Sequence, residues 1–261
     1  MDVLVVGGTG GLGRLVVDEF AARGHQVRVL SRRASPPTAA EPRIERFRGD
    51  LLTGDGLAAA LDGVQAVVNT VNATRGSERV MVDGGRRLME AAARAKVGHV
   101  VGIGIVGADL IAPWVPYYRV KVAEEAVLRE GDVPWSLLRA TQFHELVAAM
   151  IGGLAPLPVL PAPAIRVQPV DRGEVATALV AAVEAGPSGR LPDFAGPQAL
   201  PLADFAQMWL RAQSRHRRTV SLPIPSRVGR LLREGALCNP DQALARVTFE
   251  QWAARSRRQR V

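Results

Sequence analysis

The chain has 261 residues, a formal net charge of +8 and 48% hydrophobic residues, enough for a buried core. It contains no run of about eighteen or more uninterrupted apolar residues, so we expect no transmembrane helix. The single Cys238 excludes a disulfide within the chain. The first predicted strand begins at residue 3, so we expect no signal peptide and a cytoplasmic location.

The basic residues are almost all arginine, since only Lys96 and Lys121 are lysines. A positive surplus can serve nucleic acid, an acidic membrane surface or a phosphorylated ligand. The two arginine clusters, at 215–218 and 255–260, have no aromatic residues between their charges, and we interpret them as solvated segments. We therefore predict neither a nucleic-acid nor a membrane partner.

The beginning of the chain predicts a dinucleotide-binding unit. An apolar strand at 3–6, a glycine-rich turn at 7–13, a helix at 14–23 and a strand at 27–30 follow one another. Glycine permits a positive φ, a close pyrophosphate and tight helix–sheet packing, and the helix N-terminus can bind phosphate. A glycine-rich turn alone can be only a turn, but here both flanking elements are predicted. The turn residues predicted to bind the cofactor are Gly7, Thr9, Gly10, Gly11, Leu12 and Gly13.

The end of the second strand predicts which nicotinamide cofactor binds. An acidic residue there would accept from the ribose 2′-hydroxyl of NAD, whereas this chain has Ser31, Arg32 and Arg33. Serine can donate to a phosphate, and arginine matches phosphate oxygens with a fork of donors. We predict a 2′-phosphate pocket and NADP(H) as the cofactor. The alternative is that the two arginines are solvated surface charges.

Two later strand ends supply further candidates. After the strand predicted at 44–48, an acidic side chain can accept from the adenine amino group or cap a turn. The strand predicted at 66–68 ends at the crevice outside the carboxyl edge of the sheet, where open α/β folds bind ligands. The residues predicted to contact the cofactor at these ends are Asp50, Leu51, Asn69, Thr70 and Val71.

Alternation of strands and helices predicts an α/β fold with a doubly wound parallel sheet. The pattern changes near residue 150, so we predict a cofactor-binding core at 1–150 and a smaller α/β substrate lobe at 151–261, interleaved with the core. Asp171 is a predicted N-cap, with Glu174 at the capping-box position. The other predicted elements are helices at 57–61, 79–96, 117–130, 175–184, 202–211 and 248–252, strands at 98–105, 135–138, 167–170 and 191–194, and proline-bearing loops at 34–42 and 151–163.

A tyrosine and a lysine in the helix at 117–130 are the catalytic candidates. Tyr117 and Lys121 are four residues apart, so on a helix they share one face. A nearby ammonium lowers the pKa of a phenol, and such a phenol can give a proton to a carbonyl oxygen while hydride reaches the carbon. Lysine can also hydrogen-bond the nicotinamide ribose. The alternatives are an exposed surface pair, and Tyr118, at a spacing of three, as the proton donor.

These motifs resemble the short-chain dehydrogenase/reductase superfamily. The glycine turn, Asp50-Leu51, the YxxxK pair and the segment 138–141 are most similar to its atypical, NmrA-like and NAD(P)H-binding branch, over most of residues 1–210. The resemblance implies a Rossmann core with a C-terminal substrate lobe. Two positions depart from it: Gly104 stands where a serine is usual, and Met81 where extended members often have asparagine. The candidates for the missing donor are Thr70, Asn72, Thr141 and His144.

Two functions follow from these observations. The first is an NADPH-dependent reductase of a small, apolar carbonyl or enone, with Tyr117 as proton donor, Lys121 as its electrostatic helper and no metal. The second is a non-catalytic NADP(H)-sensing regulatory protein, which the glycine at 104 favours. We expect a monomer or a homodimer in either case.

Overall fold

The computed structural model describes residues 1–32, 42–73, 76–154, 159–215 and 217–258, the side chains of the last two excepted. Arg33, one of the predicted cofactor residues, and most of the predicted loop at 34–42 lie outside these ranges. No helix in the described part of the chain has the length and apolar character needed to cross a membrane.

Eleven strands and ten α-helices are assigned within these ranges. A π-helical segment, Glu78–Asp83, precedes α3, and a 3-10 turn lies at Pro240–Gln242. The strands are β1 Asp2–Val6, β2 Gln26–Ser31, β3 Ile44–Arg48, β4 Ala66–Asn69, β5 His99–Ile105, β6 Trp135–Ala140, β7 Val159–Pro163, β8 Arg166–Val167, β9 Gly189–Arg190, β10 Leu200–Pro201 and β11 Arg218–Leu222. The helices are α1 Gly11–Ala22, α2 Leu57–Leu61, α3 Gly84–Arg94, α4 Ala108–Ile111, α5 Pro116–Glu130, α6 His144–Leu154, α7 Arg172–Ala185, α8 Leu202–Ala212, α9 Arg227–Glu234 and α10 Phe249–Arg258.

A seven-stranded parallel sheet forms the main layer, in the order β3-β2-β1-β4-β5-β6-β9. In β1, Val3, Leu4 and Val5 are fully buried, as the uninterrupted apolar run of a parallel strand predicts. The order reverses beside β1, since β2 pairs with one edge of it and β4 with the other. This confirms the predicted doubly wound α/β fold and places the switch point at the ends of β1 and β4.

The chain divides into two compact units. The first comprises Met1–Gly104, Val115–Leu138 and Val175–Leu191, and the second comprises Ile105–Trp114, Arg139–Glu174 and Pro192–Val261. Each unit therefore takes residues from both sides of residue 150. In the first unit, Leu4, Val67 and Leu88 belong to a buried cluster between the sheet and its helices.

The second unit has its own core and two small sheets. Phe205, Phe249 and Ile151 are buried together in it. Strand β7 pairs in parallel with β11, and β8 pairs antiparallel with β10. The assignment of residues 151–261 to a substrate lobe stays a prediction.

Several predicted elements are confirmed with small shifts of their ends. Helix α2 has the predicted bounds, and Pro116 occupies the first turn of α5, where its missing N–H costs nothing. Asp171 caps α7, since its Oδ1 accepts from the amides of Gly173 and Glu174 at 2.8 and 3.2 Å. The Glu174 carboxylate is not used as a capping box predicts, because it accepts from the amides of residues 246 and 247 instead.

Other predicted elements are wrong. The loop predicted at 151–163 contains the end of α6 and all of β7, in which Pro161 and Pro163 are tolerated because the strand pairs on one side only. In place of the strand predicted at 191–194, β9 lies at Gly189–Arg190, and within the predicted range only Phe194 forms an isolated parallel bridge, to Ala140. Pro192, between the two, has no N–H to donate to a sheet. Of the strand predicted at 167–170, only Val167 lies in β8, and Val170 forms an isolated bridge to Phe143. The helix predicted at 79–96 begins as the π-helical segment.

Candidate functional site

The glycine turn is shaped by contacts that leave no room for side chains. Gly7 has a φ of +81°, and a Cβ there would lie 3.0 Å from both the Thr70 hydroxyl oxygen and the Val71 amide nitrogen. A Cβ on Gly13 would lie 2.2 Å from the carbonyl oxygen of Gly7. The turn closes through a hydrogen bond of 2.9 Å from the Gly10 amide to that same carbonyl. Glycine is therefore required at 7 and 13 by the fold itself.

Helix α1 begins at this turn, and its N-cap residue is a glycine, which has no side chain to cap the helix. Its N-cap is Gly10, in an extended conformation, and the helix runs from Gly11. The first amides of a helix have no partner within the helix and carry the positive end of its dipole. A cradle of glycine backbone at such an end fits the phosphates of a dinucleotide. Thr9 and Gly11 are exposed beside it, and Leu12 is half-buried.

The predicted 2′-phosphate residues lie at the end of β2. Ser31 is the last residue of the strand and is half-buried, and Arg32 follows it with an exposed side chain. The Ser31 carbonyl accepts from the Gly49 amide at 3.0 Å, which ties this strand end to the one after β3. An exposed guanidinium at this strand end can bind a phosphate.

The residues after β3 have mainly structural partners. The Asp50 carboxylate accepts from the Leu52 amide at 2.9 Å, as the turn alternative predicted. Leu51 is 7% exposed and belongs to the core, and a Cβ on Gly84 would lie 2.9 Å from its Cβ. Contact of Asp50 and Leu51 with the cofactor stays a prediction.

The segment after β4 is held against the end of β1. The amide and the hydroxyl of Thr70 both donate to the Val6 carbonyl oxygen at 2.9 Å. The Asn69 side chain accepts from the Val71 amide at 3.1 Å. Because Gly7 abuts residues 70 and 71, this segment and the glycine turn share one edge of the sheet. The structure thus brings together the predicted cofactor residues at the ends of β1 and β4.

Tyr117 reaches the same segment from α5. Its hydroxyl donates a hydrogen bond of 3.0 Å to Oδ1 of Asn72, three residues beyond the end of β4. Tyr118 packs edge-on against the Tyr117 ring, with centroids 5.6 Å apart. Burial raises the pKa of Tyr118 to about 12, with a smaller contribution from Tyr117, which makes the Tyr118 phenol a weaker acid than an ordinary tyrosine. The geometry favours Tyr117 as the phenol at this edge.

Lys121 has two acceptors of its own. Its side chain is 5% exposed, and Nζ donates to the Ile103 carbonyl oxygen at 3.0 Å and to Glu124 at 2.6 Å. Burial raises the pKa of Glu124 and outweighs the opposing effect of the ammonium beside it. Within the described residues Lys121 and Tyr117 make no hydrogen bond to each other, although they lie one helical turn apart. Sequence reasoning missed Glu124, which the i, i+3 spacing to Lys121 could have indicated.

The remaining candidate donors lie in the second unit. Gly104, which belongs to the first unit and lies near the end of β5, is buried and has no side-chain donor. The hydroxyl oxygen of Thr141 accepts from the Gly196 amide at 3.2 Å. His144 is fully buried, and its Nε2 lies 3.0 Å from the Val247 carbonyl oxygen. Both side chains therefore have partners within their own unit.

A parallel sheet with a glycine turn and an uncapped helix at its switch point defines a nucleotide-binding protein. The chain belongs to the NAD(P)H-binding family, whose model matches residues 7–185. This match confirms the family resemblance found in the sequence, while the NmrA-like branch stays a prediction.

Two proteins of known description are similar to this chain in sequence. The photosystem II assembly factor Ycf39 of Trieres chinensis is 31% identical over 151 residues, which are 56% of this chain and 47% of that protein. A (4-alkanoyl-5-oxo-2,5-dihydrofuran-3-yl)methyl phosphate reductase of Streptomyces griseus is 29% identical over 203 residues, 76% of this chain and 69% of that protein. The chain thus spans about half the length of Ycf39 and about two thirds of the reductase.

A solved structure shares the fold along nearly the whole chain. The NADPH-dependent quinone oxidoreductase QOR2 of Escherichia coli, complexed with NADPH, has a TM-score of 0.80 at 19% identity, covering 97% of this chain and 99% of that one. At this identity the likeness establishes the fold alone.

Proposed function

We propose that this chain is an NADPH-dependent reductase of a small, apolar carbonyl, enone or quinone compound, with Tyr117 as the proton donor. The observation that carries the proposal is the hydrogen bond from Tyr117 to Asn72. It brings a phenol to the edge of the sheet where the glycine turn and the uncapped helix lie. A proton donor beside a nucleotide cradle is what carbonyl reduction requires.

The roles of the other residues follow from their positions. When bound, NADPH supplies the hydride that reduces the substrate carbon. The backbone of the glycine turn and the start of α1 would hold the pyrophosphate, and Ser31 and Arg32, at the end of β2, would hold the 2′-phosphate. Lys121, whose Nζ donates to the Ile103 carbonyl and to Glu124, would have one N–H left to donate to the nicotinamide ribose. Tyr117 transfers its proton to the substrate oxygen, and water returns a proton to it.

The same proposal has three further parts. They are a preference for NADPH over NADH, a substrate lobe at residues 151–261 and a cytoplasmic location. Two features support the cofactor preference: Arg32 is exposed at the end of β2, and no acidic residue stands at 31–33. Arginine at that strand end suits a phosphate and leaves a ribose hydroxyl without the acceptor that NAD enzymes provide.

Turnover of a carbonyl panel tests the activity. The full chain is mixed with NADPH and a set of aldehydes, enones and quinones, and the loss of NADPH absorbance is followed. We expect Tyr117→Phe to lower kcat about a hundredfold or more, the usual contribution of a positioned acid. The matched control, Tyr118→Phe, removes a neighbouring phenol and should retain most of the activity. A fully active Tyr117→Phe variant would contradict the assignment.

A cofactor-sensing protein without chemistry is the second candidate. Gly104 provides no hydroxyl at the end of β5, and the Lys121 ammonium is bonded to Glu124 and Ile103 instead of to Tyr117. This candidate predicts that NADPH binds while no compound of the panel is reduced, and that the affinities for NADPH and NADP⁺ differ.

A further inference from the structure

Carbonyl reduction places negative charge on the substrate oxygen, and a second hydrogen-bond donor beside the acid stabilises that charge. Tyr117 can supply one such donor through its hydroxyl. The Asn72 amide is in hydrogen-bond contact with it at 3.0 Å. Asn72 is exposed, so a ligand can reach its side chain.

Only one end of the Asn72 side-chain amide has a hydrogen-bond partner among the described residues. Its Oδ1 accepts from Tyr117, whereas its Nδ2 carries two N–H donors and has no hydrogen-bond partner among the described residues. Nδ2 and Oδ1 share one carbon atom, so an oxygen atom seated against the Tyr117 hydroxyl can also accept from Nδ2. The pair therefore offers two donors to one oxygen.

The backbone that carries Asn72 is well fixed. Thr70 is bonded twice to the Val6 carbonyl oxygen, and Val71 is bonded to the side chain of Asn69. On the other side, the Ala73 amide lies 3.4 Å from the sulfur of Met81. A donor on a segment held at both sides keeps its position when charge develops on the ligand, which is the condition for stabilising it.

We propose that Asn72 is a substrate-binding residue whose amide N–H donates to the same oxygen that Tyr117 protonates. In the free protein Oδ1 accepts from the phenol. In the complex the phenol proton moves to the substrate oxygen, hydride from NADPH joins the carbon, and the carbon–oxygen π bond breaks. The products are the alcohol, NADP⁺ and a phenolate that water reprotonates. This inference rests on the proposed reductase function.

Two substitutions separate donation to the substrate from support of Tyr117. Asn72→Ala removes both ends of the amide. Asn72→Asp keeps an acceptor for the phenol but replaces the donor with a carboxylate that repels the developing charge. We expect both variants to lose about tenfold to a hundredfold in kcat, less than the loss of a fully buried donor would cause. The NADPH dissociation constant, measured by calorimetry, should stay within about twofold in both.

Arg79→Ala is the matched control, because Arg79 is exposed and close in sequence and has no role in the site. Its kcat should equal that of the unmodified chain. As a readout independent of turnover, a reducible panel compound is titrated into the NADP⁺ complex, and both Asn72 variants should bind it several-fold more weakly.

The outcomes distinguish this inference from the proposed function. If the unmodified chain reduces a panel compound and Asn72→Asp keeps at least half of that kcat, Asn72 serves only as an acceptor for Tyr117. The inference then fails while the reductase function stands. If the unmodified chain reduces no compound, both fail together. Slow Asn72 variants that also lose NADPH affinity would likewise overturn the inference, because the effect would then lie at the cofactor.

Discussion

Individual residues in this protein take their roles from burial as much as from chemistry. Lys121 and Glu124 form an ion pair with side chains only 5% and 12% exposed. Removing one partner of such a pair leaves an uncompensated buried charge, whereas exposed pairs such as Arg129–Glu130 contribute little. The near-absence of lysine made Lys121 conspicuous in the sequence. Its partners at residues 103 and 124 explain how its ammonium is held.

The burial of His144 predicts that the folded protein loses stability in acid. His144 is fully buried against Phe249 and Trp252, and burial lowers its pKa from 6.5 to about 4. The Val247 carbonyl and Asp171 oppose this shift, and Arg255 adds to it. Because the folded state binds the proton more weakly than the unfolded state, the neutral ring stabilises the fold above pH 6.5. That stability is lost as the pH falls toward about 4.

The measurement is urea unfolding at neutral pH and near pH 4. The shift corresponds to about 3 kcal/mol at roughly 1.4 kcal/mol per pKa unit. The control variant is His144→Gln, which keeps a donor for the Val247 carbonyl and has no titrating ring. It should show an acid-induced loss smaller by about this amount. His99, also buried with a lowered pKa, is present in both proteins and cancels in the comparison. An equal loss in both would refute the role of His144.

At the scale of elements, the approach of α1 to β1 determines the shape of the cofactor cradle. A Cβ on Gly13 would lie 2.2 Å from the Gly7 carbonyl and 2.6 Å from the Thr70 hydroxyl, whereas one on Gly10 would lie 3.2 Å from the same carbonyl. The two glycines therefore have different reasons to be glycine. Gly13 is required by packing, and Gly10 faces the space proposed for the pyrophosphate.

Alanine at these two positions should separate stability from cofactor affinity. We expect Gly13→Ala to lower the free energy of unfolding by about 1–3 kcal/mol, as overpacking does. Gly10→Ala should cost less stability but weaken NADPH binding, because its methyl group would meet the phosphates. Thermal unfolding and calorimetry with NADPH check the two effects. The idea is contradicted if Gly13→Ala is as stable as the unmodified chain.

At the scale of the whole molecule, each of the two compact units has its own hydrophobic core. The predicted cofactor residues that the structure describes all lie in the first unit, as do Tyr117 and Asn72. A cofactor that binds only the folded state stabilises it by mass action, by about 2.7 kcal/mol at a hundredfold excess over the dissociation constant. Cofactor preference can therefore be measured as thermal stability.

NADP⁺ should raise the melting temperature more than NAD⁺ at the same concentration. Arg32→Ala should remove most of this difference, since the exposed guanidinium is the group proposed to meet the 2′-phosphate. Arg94→Ala, which removes an equal charge from an exposed site at the end of α3, is the control and should keep the difference. Equal shifts with the two nucleotides in the unmodified chain would refute the NADP preference.

The sequence alone determined the nucleotide-binding unit and the fold class, because glycine spacing and apolar periodicity are local properties that the backbone expresses directly. It also placed Pro116 and the Asp171 cap correctly, for the same reason. Only the tertiary structure made β7 a strand, because its prolines are accommodated by pairing with β11, far along the chain. It likewise joined Tyr117 to Asn72 across 45 residues and turned the Glu174 carboxylate toward residues 246 and 247. Such hydrogen bonds depend on where the ends of strands and helices lie in the folded protein. The spacing of residues along the chain does not determine those positions.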